Sequence, residues 1–341
     1  MKVKKVELET ILANKISEID FSGVVHVEDR SGVIHASAHG FSNRAEAISN
    51  TADTRFGIAS GCKLFTAIGI CQLVENGALT FESKLSSLLD HSFPHFDKEV
   101  TVHQLLTHSS GVPDYFDEDV MDDFEELWVE NPMYHMRQIE NFLPLFQDQQ
   151  MKFNPGEKFH YNNSGYILLG LIIEKVAGVP FTDYVEEYIF GPSQMTDSGY
   201  FSLDKLPGRT ALGYIDEEDG SWRTNSYSVP IKGGADGGAY ITAGDMAKLW
   251  NALMQGKLVS KEMLSKMLTP WIQTDDETDW YGYGIWIEKE ADKIVKYHVM
   301  GYDPGVSFAS GYYPDSELVV VIPSNKESGP HKLMFLLEEH I

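Results

Sequence analysis

Cysteine is nearly absent from this chain of 341 residues, which has only Cys62 and Cys71. On one helix the two would lie roughly 13 Å apart along its axis, beyond the ~7 Å Cα reach of a disulfide. Two cysteines do not make a zinc site. His91 and His95 flank Pro94 with no glutamate partner, so no metal is expected there either. Basic residues are scarce: 27 Lys and Arg face 51 Asp and Glu, a formal charge of −24. Without a basic patch, nucleic-acid binding is excluded as the main role. Long apolar runs are missing too. YILLGLII (166–173) is too short to span a bilayer. The N-terminal MKVKKVELETILANK has lysines but no continuous apolar segment behind them, so no secretory leader is read and the cytoplasm is the default expectation. There is no internal repeat and no low-complexity linker.

What remains is an ordinary globular composition, 43% hydrophobic and 12% aromatic, in a chain long enough for a large core. Residues 6–19 read as a short amphipathic helix. FSGVVHVED (21–29) and GVIHASAHGF (32–41) alternate apolar and polar residues around Arg30-Ser31 and read as a hairpin. A helix apolar on all sides follows FGIAS and stops at Asn76-Gly77. A second spans about 164–176, and a third about 241–257 with Thr242 as its N-cap. Residues 281–288, 293–300, 306–314 and 318–325 read as four strands, and 332–340 as a closing helix. Strands at both ends and helices between them imply an α+β fold in which both chain ends build one antiparallel sheet. The expected organisation is a single catalytic domain, 1–341. It has an α/β lobe (about 1–75 and 281–341) and a mostly helical lobe (about 76–280), with the cleft between them.

Two residues at the head of the first buried helix carry chemistry. Ser60 and Lys63 are one turn apart, so the amine reaches the hydroxyl. The helix start also favours an oxyanion above the serine. A serine with an amine partner is a nucleophile arrangement. The spacing alone is weak: Ser202-Leu-Asp-Lys205 repeats it in a loop, and Ser60 equally suits a helix cap or the core. Tyr161-Asn162-Asn163 is the only Y-x-N in the chain. A nearby ammonium would favour the Tyr161 phenolate, which could then take the serine proton. Alternatively, Tyr161 is core and Asn163 or Ser164 is a cap.

Six segments in order resemble the serine β-lactamase and penicillin-binding-protein superfamily, most closely its class C-like branch of D,D-carboxypeptidases, D-aminopeptidases and esterases. They are RFGIASGCKLFTAIGICQLVENGALTFESKLSSLL (55–89), VTVHQLLTHSSGVPDY (100–115), FNPGEKFHYNNSGYILLGLIIEKVAG (153–178), GGADGGAYITAGDMAKLWNALMQGK (233–257), YGYGIWI (281–287) and VVVIPSN (319–325). The resemblance implies a β-lactamase/D,D-peptidase-like fold. It also implies a serine hydrolase that acts through a covalent acyl-enzyme, without a cofactor, on a small molecule or peptide with a scissile carbonyl. It makes Ser60 the nucleophile, Lys63 its helper, Tyr161 the general acid or base and Asn163 a binder of the substrate amide. The backbone near Tyr302 would supply an oxyanion donor.

The third motif of that superfamily, Lys-Thr-Gly or His-x-Gly, is missing. KYHVMGYDPGVSF (296–308), aligned on Gly301, puts Val299 at the motif's first position and His298 one residue early. Strand side chains alternate faces, so the slip turns His298 away from the cleft unless a bulge intervenes. His298, Gly301 and Tyr302 therefore join Asn163 as candidate substrate-binding residues, with His298 hanging on that condition. A weakened grip on a substrate carboxylate tilts the expectation towards neutral or cationic esters and amides. The acidic run DYFDEDVMDDFEE (114–126) adds to this if it lies at the mouth, and is otherwise a solvated loop. Two other readings differ in class. A non-catalytic or slowly turning over sensing module would keep the fold. An α/β-hydrolase would need a G-x-S-x-G elbow, which Ile58 breaks.

Overall fold

The computed structural model describes residues 5–340, with side chains from residue 9 onward. Its centre is one eight-stranded antiparallel sheet. In chain order the strands are β1 (Gly23–Asp29), β2 (Gly32–His39), β3 (Ile272–Gln273), β4 (Asp279–Tyr281), β5 (Trp286–Glu290), β6 (Lys293–Asp303), β7 (Val306–Tyr313) and β8 (Leu318–Ser324). Their spatial order is β2-β1-β8-β7-β6-β5-β4-β3, so the N-terminal hairpin pairs directly with the last strand. The expected α+β fold, with both chain ends in one sheet, is what the chain adopts. The segment 281–288 is not one strand, however. The chain turns at Gly284 (φ +70°), so Tyr281 ends β4 and Trp286 begins β5. A Cβ on Gly284 would lie 2.4 Å from the Ala67 Cβ, so the turn is pressed onto the helix below and only glycine fits.

Alternation along the strands sorts two cores. Val24, Val319 and Val321 face a large inner core; Val25, Val27, Val320 and Ile322 face a smaller outer one. Helices α1 (Lys5–Glu18) and α5 (Pro330–Glu338) cover the outer face, burying Leu12, Ile16, Leu333 and Leu337 there. Against the inner face lies α2 (Lys63–Glu75), buried at almost every position, as a helix apolar all round must be. It stops at Asn76, and Gly77 takes φ +73°. Next to it packs α3 (Asn163–Ala177). Asn162 caps its start by accepting from the Gly165 N–H at 2.6 Å, and a left-handed Gly178 ends it. Helix α4 (Ala243–Met254) is capped by Thr242. It packs on the sheet's inner face, where Trp250 donates to the Ser310 hydroxyl at 2.8 Å and Asn251 to Glu28 at 2.7 Å. The residues from 76 to 280 are therefore not all remote from the sheet. Both cysteines are buried and free.

Candidate active site

Ser60 lies in a 3₁₀ turn, Ala59–Cys62, that leads into α2. Its side chain caps neither element, which removes the capping role. Ala59 holds φ +44°, a left-handed conformation that costs a residue with a Cβ about 1–2 kcal/mol. Such strain is a mark of a functional turn.

Lys63 is 2% exposed, and its ammonium is fully engaged. It donates to Ser60 Oγ (2.9 Å), Asn163 Oδ1 (2.8 Å) and the Asp236 carbonyl (2.7 Å). It also sits 4.9 Å from the centroid of the Tyr161 ring. Ser60 is close enough to the Tyr161 phenol to favour its ionised form. The structure thus brings Ser60, Lys63, Tyr161 and Asn163 together from two segments. The decoy pair stays apart: the Ser202 hydroxyl bonds Asp204, and Lys205 lies in a short 3₁₀ turn.

The shift at Tyr161 runs against a resting phenolate. Burial, reinforced by Glu118, pushes its phenol well above the ordinary tyrosine range, and the nearby Ser60 offsets this only in part. This direction favours the protonated phenol over a standing phenolate.

Asn163 is placed by a residue that the sequence did not single out. Asp114 accepts the backbone N–H groups of Asn163 and Ser164, both at 2.9 Å, and the Asn163 amide at 3.3 Å. The cost of burying this carboxylate pushes it up to about 6 in spite of those bonds. Asp236 is buried alongside, accepting from the Tyr115 hydroxyl. His108 accepts the Asn162 N–H at Nδ1 (3.0 Å) and packs against Tyr161 with ring centroids 4.5 Å apart and a 37° tilt, which fixes the Y-x-N segment from behind. Asp114, Tyr115 and His108 all lie in the 100–115 segment; their spacing from α3 in sequence gave no hint of the pairing.

The cleft beside Ser60 encloses a cavity of about 380 Å³. One wall is β6. Strand β5 pairs with it only as far as His298, so Val299–Asp303 presents a free backbone edge. Gly301 lies directly against the Ser60 turn: a Cβ there would be 2.2 Å from the Ile58 carbonyl and 2.8 Å from the Ser60 nitrogen. Tyr302 lines the cavity, but its hydroxyl turns to His331 on α5. His298 does not line it. The β6–β7 register is unbroken from Tyr297 to Asp303, so no bulge corrects the slip. His298 shares the outer face with Lys296 and Tyr302, while Val299 enters the inner core. As a substrate-binding candidate His298 is therefore withdrawn.

The cavity wall is acidic. Glu118, Asp122, Asp123, Asp236 and Asp303 line it, which puts the 114–126 run at the mouth. The one cation among its lining residues, Arg223, is held by Glu125 (2.7 Å) and Glu217 (2.9 Å). Burial, with Asp236 and Glu118 nearby, pushes Asp303 up to about 7. The folded chain therefore holds the Asp303 proton more tightly than the unfolded chain, whose carboxyl titrates near 4. Ionising it costs stability progressively as pH rises from about 4 through 7. Asp303→Asn should raise Tm relative to wild type at pH 8, with the gain vanishing towards pH 4. Calorimetry across that range checks this; an equal gain at both ends would contradict it.

Fold and site together define a serine hydrolase of the β-lactamase and penicillin-binding-protein superfamily. Residues 11–337 match the Beta-lactamase family model, and the chain belongs to that family. It is 54% identical to a penicillin-binding protein from Bacillus halodurans whose crystal structure superposes with a TM-score of 0.93, over 97% of this chain and 100% of that one. It is 29% identical to penicillin-binding protein 4* of Bacillus subtilis, over 99% of this chain and 76% of the relative. A D-amino acid amidase from Ochrobactrum anthropi, at 22% identity and a TM-score of 0.79 over 98% of each chain, shares the fold.

Proposed function

We propose that the protein hydrolyses neutral or cationic esters and amides through an acyl-enzyme on Ser60. The observation that carries this reading is the Lys63 ammonium, fixed on Ser60 Oγ at 2.9 Å and on Asn163 and Asp236 behind it. Ser60 Oγ attacks the carbonyl, and the Tyr161 phenol oxygen takes the serine proton as it gives up its own, with Lys63 remaining an ammonium throughout. Tyr161 hands that phenol proton to the leaving group. The backbone N–H groups of Ser60 and Tyr302 hold the oxyanion, and Asn163 receives the substrate amide. Water then releases the acid.

The substrate preference rests on charge. A free substrate carboxylate would enter an acidic cavity in which Arg223 is already paired and His298 is absent. The D-amino acid amidase of the same fold makes a D-aminoacyl amide a sensible member of the test panel. We expect kcat/KM for a short acyl ester or a D-amino-acid amide to exceed that for a cephalosporin. A cephalosporin preference of about a hundredfold or more, some 2.7 kcal/mol in transition-state binding, would sink the assignment.

A further inference from the structure

The histidine that the cleft does not use stands in a cluster of its own. We infer that Asp279, Glu288 and His298 form a site for a zinc-like divalent cation on the outer face of the sheet, outside the cavity lining and one ring, that of Trp286, away from Tyr161. The three lie on the neighbouring strands β4, β5 and β6. Asp279 pairs with Glu288, Glu288 with Lys296, and Trp286 with His298, so all of these side chains share a face. One ligand atom from each of Asp279, Glu288 and His298 lies within 4.8 Å of the others. One imidazole and two carboxylates, with a water in the fourth place, suit zinc.

Three observations favour an ion over an accidental cluster. His298 Nε2 is buried and has no hydrogen-bond partner among the described residues, a costly state for an imidazole nitrogen. The Asp279 carboxylate receives no hydrogen bond from any described residue. The charges do not balance either. Lys296 bridges Glu288 and Glu338, and Asp279 adds a third carboxylate, which leaves a net two negative charges for a divalent cation to neutralise. Lys296 bonds Oε2 of Glu288, so Oε1 stays available. Trp286 stacks on the His298 ring (centroids 6.3 Å, 26° between planes) and fixes its orientation.

A second convergent trio, Asp117, Asp119 and His160, shows the contrast. There the Lys152 ammonium already contacts both Asp117 and His160, so a cation is in place. At Asp279, Glu288 and His298 the lysine bonds one member only.

The test is calorimetric titration of the chelator-treated full chain with zinc sulfate, a readout independent of hydrolysis. We expect one zinc per chain, with affinity lowered about tenfold or more in both His298→Ala and Asp279→Asn. Ser60→Ala and His160→Ala should bind as wild type does. Asp279→Asn keeps the side-chain shape, and unchanged metal-free melting of that variant separates lost ligation from lost folding. The proposal is overturned if wild type takes up no zinc at millimolar concentration. It is equally overturned if both ligand variants titrate like wild type, or if His160→Ala alone abolishes binding.

Discussion

Ser60→Ala is expected to lower kcat/KM on an activated ester by on the order of 10⁴-fold or more, with the fold and Tm essentially unchanged. The size follows from the chemistry. In the proposed mechanism the Oγ is the atom that attacks, and no neighbour replaces it: Lys63 is held on the Asn163 and Asp236 oxygens, and burial favours the protonated phenol of Tyr161. The fold survives because Ser60 Oγ supports no cap and the turn is held by its backbone, including the Gly61 N–H on the Ile58 carbonyl at 2.9 Å. A variant that unfolds would attribute the loss to structure, so melting curves belong with the kinetics. Activity within tenfold of wild type would remove Ser60 from the mechanism.

Gly301→Ala should be nearly as damaging, without deleting any reacting atom. The added Cβ would meet backbone on both contacts, at 2.2 Å from the Ile58 carbonyl and 2.8 Å from the Ser60 nitrogen. Backbone cannot rotate away as a flexible side chain does, so β6 and the Ser60 turn must separate. An oxyanion donor and a nucleophile displaced by about an ångström lose on the order of 10²-fold in rate. Overpacking of this kind also costs roughly 1–3 kcal/mol of stability. The two effects separate experimentally: kcat should collapse at temperatures well below the lowered Tm, where the chain is fully folded. Unchanged kcat in a destabilised protein would mean that the β6 edge does not position the site.

Much of this was legible in the sequence because it follows local rules. An apolar surround made α2 a buried helix, alternation and the Arg30-Ser31 turn gave the first hairpin, and a single Y-x-N before a helix located Tyr161. Family-like segments in order then lifted Ser60 and Lys63 above Ser202 and Lys205. Features set by distant neighbours were not legible. Asp114 reaches Asn163 across the fold, 49 positions on in sequence, through bonds that no spacing rule encodes. The protonation of Tyr161 depends on how completely it is buried and on Glu118, which a nearby lysine in the sequence did not outweigh. His298 was the instructive case. Strand alternation gave the right face, but only the unbroken β6–β7 register excluded a rescuing bulge. The acidic run at 114–126 was visible as composition; its place at the cleft mouth was not.

The central claim is that Ser60 carries an acyl group during turnover. Intact-mass analysis after mixing the protein with a slowly hydrolysed acyl ester, followed by peptide mapping, addresses it directly. The account predicts a single adduct of the acyl mass on Ser60 that disappears as product forms, and none on Ser60→Ala. An unmodified chain throughout turnover, or an adduct on any other residue, would contradict it.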